Sequence, residues 1–261
     1  GSLELGLTDF DHADLYGGYT TEEEFGKALK SNPALKGQIK LITKCGIKMM
    51  SENRPAHKIK SYDLGAEHIK KSVDNSLKAL NVNHIDVLLL HRPDILIHPD
   101  EVATVFEELK KAGKVSHFGV SNFTTSQFNL LNSYTPLITN QVEVSITHLD
   151  GFSDGTLDQC LLNKIRPMAW SPLGGGGIMG TTDDLRLQNI QKAGIELANK
   201  YSVKLDQILL AWLLKHPSGI IPVLGTSKVE RIKTAYEATK IELTREEWYK
   251  LLEASVGNEV A

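Results

Sequence analysis

The run Ile85-Asp86-Val87-Leu88-Leu89-Leu90 is apolar at every position but one. A half-solvated strand alternates apolar with polar residues. A nearly continuous apolar run of this length therefore predicts a strand covered on both faces, as in a parallel sheet flanked by helices. The residues that follow fit that setting. Pro99-Asp100 opens a helical pattern with Val102, Phe106 and Leu109 on one side, and Gly113 stands where a helix can end in a left-handed residue. A second strand-like run, His117-Phe118-Gly119-Val120-Ser121, comes next. Strand, helix and strand at this spacing form the unit of a parallel α/β fold.

The same alternation extends in both directions. Toward the N-terminus, residues 66–80 read as a helix with Ile69, Val73, Leu77 and Leu80 on one face. Before it come a strand-like run at 39–44, a helix near Thr21 with Glu24 at capping-box spacing, and a first run at 8–13. Toward the C-terminus, strand-like runs fall at 138–143, 166–171 and 220–225, with helices at 185–201 and 205–215. A last helix starts at Thr244, with Glu247 as capping-box partner. No linker, repeat or composition break interrupts this order, so residues 1–261 are expected to form one domain. These are seven strands, and a closed parallel (β/α)8 TIM barrel needs one more. An open sheet would leave two bare edges. The expectation is thus a barrel whose first strand would precede Leu3. Pro167 and Pro222 fall inside predicted strands and each removes a ladder donor, which points to strand starts or bulges.

Composition narrows the function classes. The 261 residues are 41% hydrophobic and 23% charged, the balance of a globular chain with a sizeable core. A net charge of -3 leaves no basic excess to neutralise phosphates, so a nucleic-acid partner is not expected. Cys45 and Cys160 are the only cysteines. That excludes a disulfide framework and a cysteine-rich zinc motif, and fits a reducing cytoplasmic setting. No apolar stretch approaches the roughly 18 residues that span a bilayer, and no signal-peptide pattern opens the chain. The sequence does not choose between monomer and dimer.

In a β/α barrel, polar residues at the C-terminal ends of strands carry the chemistry. Here those are Asp11 and Tyr16, then Lys44, His91, Ser121 and Asn122, Gln141, and Ser171. Asp11, Tyr16, Lys44 and His91 make an acid-base set. A free phenol with pKa about 10 is a poor acid near neutral pH. A nearby ammonium favours the phenolate, and a carboxylate fixes that ammonium. A neutral imidazole can orient a carbonyl oxygen. No nucleophile stands beside a base, and His12 and His91 have no partners at zinc-site spacing, so no metal site is expected and a metal-dependent hydrolase is disfavoured.

The segment Asp11-His12-Ala13-Asp14-Leu15-Tyr16-Gly17 resembles the aldo-keto reductase signature, with Asp and Tyr five apart. Gly119-Val120-Ser121-Asn122-Phe123, Asn140-Gln141-Val142-Glu143 and Trp170-Ser171-Pro172-Leu173 resemble further motifs of that family. The run 225–232, from Gly225 through Lys228 to Arg231, resembles its cofactor-phosphate motif. All stand in the family's order, and His91-Arg92-Pro93-Asp94 with the 171–176 run is similar to its bacterial short-loop branch.

This resemblance implies an NADPH-dependent reductase of aldehydes or ketones, a small-molecule enzyme with no membrane partner. It implies Tyr16 as proton donor, Lys44 as its activator, Asp11 as support for Lys44, and His91 as the group that orients the carbonyl. It further implies Ser121, Asn122 and Gln141 on the nicotinamide carboxamide and Trp170 stacked on the ring. Ser171, Pro172, Leu173 and Gly174 would line the pyrophosphate path. Gly225, Thr226, Lys228 and Arg231 would hold the adenosine 2′-phosphate, where Ser227 opens a helix. One departure is Ala235, where the family often places Asn or Gln toward the adenine. The family also contains cofactor-binding barrels that act as redox-sensing regulatory subunits of partner proteins, which is the alternative reading.

Overall fold

The computed structural model describes residues 1–259. The chain divides into two compact units, residues 7–140 and residues 1–6 with 141 onward.

The first unit runs β1 (Asp9–Asp11), α1 (Tyr16–Tyr19), α2 (Thr21–Ser31), β2 (Lys40–Cys45), a small hairpin of β3 (Ile47–Lys48) and β4 (Ser61–Tyr62), α3 (Ala66–Ala79), β5 (Ile85–Leu90), α4 (Pro99–Lys111), β6 (Val115–Ser121) and α5 (Thr125–Asn132). Strands β1, β2, β5 and β6 pair in parallel, with Phe10 opposite Leu41, Ile42 opposite Val87, and Leu89 opposite Gly119. Strand β5 occupies the span expected from its apolar run, and Leu88, Leu89 and Leu90 are buried. Beyond the strand ends the ladder continues: His12 N–H donates to Ile42 O, Asp14 N–H to Lys44 O, and His91 N–H to Cys45 O. These bonds bring the chain following β1 and the residue following β5 level with the end of β2.

The capping box expected at Thr21 and Glu24 does not form. Thr21 lies inside α2, because the α1 turn runs straight into that helix and Glu24 N–H is taken by Thr20 O. A capping box does start α5, between Thr124 and Gln127. Gly113 adopts φ 69° after α4, as expected of a helix-ending glycine.

The second unit holds β7 (Asn140–Glu143), α6 (Thr156–Leu162), β8 (Met168–Trp170), α7 (Leu185–Tyr201), α8 (Leu205–Leu214), β9 (Ile221–Pro222), α9 (Val229–Glu237) and α10 (Arg245–Val256). Strands β7, β8 and β9 are parallel, with Val142 opposite Ala169 and Ala169 opposite Pro222. Both prolines are accommodated by register. Ile221 N–H donates to Pro167 O and Val223 N–H to Ala169 O, so the donor that Pro222 lacks lies on the side away from β8. Pro167 precedes β8 and contributes its carbonyl alone.

Helices α7, α8 and α10 pack over Ile190, Leu197, Ile208, Trp212 and Leu251. Trp212 and Trp248 stack with ring centroids 4.9 Å apart and an interplanar angle of 8°. Each indole N–H donates to the other residue's carbonyl at 3.0 Å. The pair thus satisfies its polar atoms without leaving the apolar layer. The capping box of Thr244 and Glu247 starts α10 as the sequence predicts. Glu247 is also bonded to Lys200 and Tyr201, which ties α10 to α7.

Helices α2 and α3 approach each other closely at Gly26. A Cβ there would lie 2.0 Å from Ala79 O and 2.9 Å from the Leu80 carbonyl carbon. Alanine is favoured over glycine within a helix by about 1 kcal/mol. Backbone atoms at that distance cannot step aside, and overpacking costs about 1–3 kcal/mol. The steric term wins, so Gly26→Ala is expected to lower the melting temperature. An unchanged Tm would mean that α2 is free to shift.

Candidate active site

Lys44 sits on β2, between β1 and β5, and is fully buried at 0% exposure. Its ammonium donates to Asp11 Oδ2 at 2.5 Å, to His12 O at 2.8 Å and to the Tyr16 hydroxyl at 3.2 Å. Burial of a charge is costly unless it is paired and fully hydrogen-bonded, and these partners supply both conditions. Asp11 ends β1, and Tyr16 opens α1 five residues later. The left-handed glycines Gly17 and Gly18, at φ 60° and 66°, turn the chain immediately after Tyr16.

His91 follows β5 and presents its ring edge to Tyr16, with centroids 5.9 Å apart at 78°. Burial, then the charges of Lys44 and Arg92, push the His91 pKa down to about 3. The imidazole is therefore neutral at ordinary pH, and its Nδ1 is buried without a hydrogen-bond partner. Asp11, Tyr16, Lys44 and His91 are thus brought together within the first unit.

Nearby groups are also held away from their usual charge. Burial pushes His12 down to about 4, and its ring lies 4.4 Å from that of Phe25. Its imidazole is a packing element, while its carbonyl is the atom that meets Lys44. Asp14 is pushed up to about 7 by burial and then by Glu22. Glu22 is buried, accepts from Thr43 Oγ1 at 2.6 Å, and is itself raised by burial. Burial also raises the Cys45 thiol well above its ordinary value, in keeping with a packing role rather than a reactive one.

The residues expected at a cofactor lie in both units. In the first, Ser121 is buried at the end of β6, and the Asn122 amide donates to its hydroxyl at 2.8 Å. Asn122 takes φ 60°, a left-handed conformation that asparagine tolerates. In the second, Gln141 is buried on β7 with its amide 3.8 Å from Met168 Sδ. Trp170 ends β8, half-buried, and Ser171 turns left-handed at φ 49°. Pro172 is buried, and Leu173 leads into the short helical turns of Gly174–Met179.

Gly174 must be glycine. Its φ is 58°, and a Cβ would lie 2.2 Å from Thr147 Oγ1. Gly175, Gly176 and Gly177 face open space instead. The Gln191 amide, on α7, holds this loop by donating to Ile178 O at 2.8 Å and Gly180 O at 2.7 Å. Gly225 and Thr226 precede α9. The helix starts later than expected: Lys228, not Ser227, is its N-cap, and Lys228 N–H donates to Thr226 Oγ1. Lys228 and Arg231 are both exposed at that helix start, with Glu230 beside them.

These features suit an anionic ligand. A glycine loop without Cβ atoms leaves main-chain groups open, and the N-terminus of α9 with two exposed cations favours an anion. Ala235, one turn after Arg231, has no polar group for an adenine. Among the described residues, no group of three His, Cys, Asp or Glu could hold a metal ion. Likewise, no helix is long and apolar enough to cross a membrane.

The sequence reading missed two contributors. The His12 carbonyl carries no side-chain signal. Tyr19 gave no sign beyond the preceding glycine pair, yet it adopts φ 74° and accepts a hydrogen bond from Met49 N–H at 2.9 Å.

Comparison with known proteins bears on the whole chain. The family model described as the aldo/keto reductase family matches residues 2–255. The chain is 44% identical to the uncharacterized oxidoreductase YcsN of Bacillus subtilis, over 99% of this chain and 87% of that protein. It is 41% identical to a 6-dehydroglucose reductase of Agrobacterium fabrum, over 99% of this chain and 86% of that one. Among solved structures, the thermostable aldo-keto reductase Tm1743 in complex with the inhibitor epalrestat aligns with a TM-score of 0.82 at 27% identity. That alignment covers 97% of this chain and 84% of the other. An aldo/keto reductase from Klebsiella pneumoniae in complex with NADP and acetate gives 0.78 at 27% identity, over 96% and 81%. With its parallel strand-helix order and this likeness along nearly its full length, the chain belongs to the aldo/keto reductase family of β/α-barrel, NAD(P)H-dependent oxidoreductases.

Proposed function

We propose that the protein reduces an aldehyde or ketone with NADPH, and that Tyr16 gives the proton. The observation that carries this reading is the bonded chain Asp11–Lys44–Tyr16 with its neutral neighbour His91. When bound, the reduced nicotinamide supplies a hydride to the carbonyl carbon. The Tyr16 hydroxyl gives its proton to the carbonyl oxygen. Lys44, 3.2 Å from that hydroxyl, steadies the negative charge left on the phenolic oxygen. Asp11 and the His12 carbonyl keep the Lys44 ammonium aimed at it. His91, held neutral, offers an N–H to orient the carbonyl oxygen without adding a second cation beside Lys44.

The residues that would hold NADPH are those placed by resemblance. Ser121, Asn122 and Gln141 would take the carboxamide, and Trp170 the ring face. Ser171, Pro172, Leu173 and Gly174 would follow the pyrophosphate, and Gly225, Thr226, Lys228 and Arg231 the 2′-phosphate. The preference for NADPH over NADH rests on Arg231, whose guanidinium can form a bidentate pair with phosphate. Relatives named 6-dehydroglucose reductase, one of them 41% identical, make a sugar-derived aldehyde the substrate class to test first.

Two substitutions test this reading. Tyr16→Phe is expected to lose about a hundredfold or more in kcat, the scale of general acid catalysis, while still binding NADPH. Full activity in that variant would sink Tyr16 as proton donor. Arg231→Ala is expected to weaken NADPH binding by about 10–100-fold, the worth of a charged hydrogen bond, and to leave NADH binding nearly unchanged. Equal losses for both cofactors, followed by tryptophan fluorescence, would remove the 2′-phosphate from Arg231.

A further inference from the structure

Gly17, Gly18 and Tyr19 follow Tyr16 with φ values of 60°, 66° and 74°. Glycine takes this region freely, but a bulky side chain does not. A tyrosine held there is strained, and strain persists only where its surroundings over-determine it. Those surroundings are residues 47–57, which are β3 and the chain after it. The Tyr19 hydroxyl accepts from Met49 N–H at 2.9 Å, and its own hydrogen has Ile47 O at 3.2 Å and Met49 O at 3.4 Å as acceptors. His57 Nδ1 lies 3.4 Å from the same oxygen. The Arg54 guanidinium stands 4.6 Å from the Tyr19 ring centre. One residue earlier, Gly18 O accepts from Ser51 Oγ at 3.1 Å and from Asn53 Nδ2 at 2.9 Å.

The turn bearing Tyr16 is therefore fastened at its far end to residues 47–57. At its near end Tyr16 meets Lys44, and its backbone carbonyl accepts from Thr20 N–H at 3.1 Å. A side chain on a four-residue turn moves with that turn, so what fixes Tyr19 also fixes the Tyr16 hydroxyl. We propose that Tyr19 is a positioning residue for carbonyl reduction, its hydroxyl locking the Tyr16 turn to the 47–57 segment. The inference rests on Tyr16 as proton donor. It concerns placement of the donor and not binding of the cofactor.

The test compares wild type, Tyr16→Phe, Tyr19→Phe and the double variant Ser51→Ala/Asn53→Ala in the full chain. Each is assayed for kcat, NADPH affinity, Tm and the solvent deuterium isotope effect on kcat. Tyr19→Phe is expected to lose about tenfold or more in kcat, since a displacement near 1 Å can cost a hundredfold. NADPH affinity should be retained, and the isotope effect should rise because proton transfer becomes more limiting. A merely structural role would lower Tm without moving the isotope effect. The double variant removes two bonds to Gly18 O and should shift kcat and the isotope effect in the same direction. It decides the matter if Tyr19→Phe does not fold. Unchanged kcat and isotope effect in the folded variants, with Tyr16→Phe inactive, overturn this inference alone. Full activity in Tyr16→Phe overturns it together with the reading on which it rests.

Discussion

An ammonium group with no exposure to water organises the strand ends of the first unit. Lys44 reaches Asp11, the His12 carbonyl and the Tyr16 hydroxyl, and with these three bonds all of its hydrogens are used. Losing one partner would leave a buried charge short of a bond, a change that costs several kcal/mol in typical proteins. This requirement reaches back into the fold. Asp11 must end β1 within reach of Lys44, and it does so opposite Ile42, two residues before Lys44 on β2. The chain must then turn sharply enough for Tyr16 to return to the same nitrogen, and the turn of residues 13–16, closed by Tyr16 N–H donating to Ala13 O, brings it there.

The charge state of the neighbourhood follows the same logic. With a cation buried in place, further cations nearby are disfavoured, and His91 and His12 are driven toward neutrality, chiefly by burial. Burial likewise disfavours the charged forms of Asp14 and Glu22. Burial thus opposes further charge on these four groups around the Lys44–Asp11 pair.

Much of this was readable in the residues. The 85–90 run matched β5 at both ends because a strand buried on both faces carries its own hydrophobic signature. Thr244 and Glu247 foretold the start of α10, since a capping box is a local event. The same spacing at Thr21 misled, because α2 starts one residue earlier than a Thr21 cap requires and the Thr20 carbonyl takes the Glu24 N–H that such a cap would satisfy. Ser227 misled in a similar way: the helix begins after Lys228, whose N–H is taken by Thr226. Asp11, Tyr16, Lys44 and His91 could be proposed as a set because strand ends can be estimated from pattern. The His12 carbonyl and Tyr19 could not, for their parts depend on backbone conformation and on a segment some thirty residues away in the chain, Met49 bonding Tyr19.

The stacked indoles of Trp212 and Trp248 have a spectroscopic consequence. Two indoles whose centres lie 4.9 Å apart couple electronically, and their ultraviolet signal differs from that of separated rings. That signal requires α8 and α10 to be docked, because Trp212 lies on one helix and Trp248 on the other. The remaining tryptophan, Trp170, is at the end of β8 and outside the couple. The chain therefore carries a built-in optical gauge of helix docking that is separate from the tryptophan expected to face the cofactor.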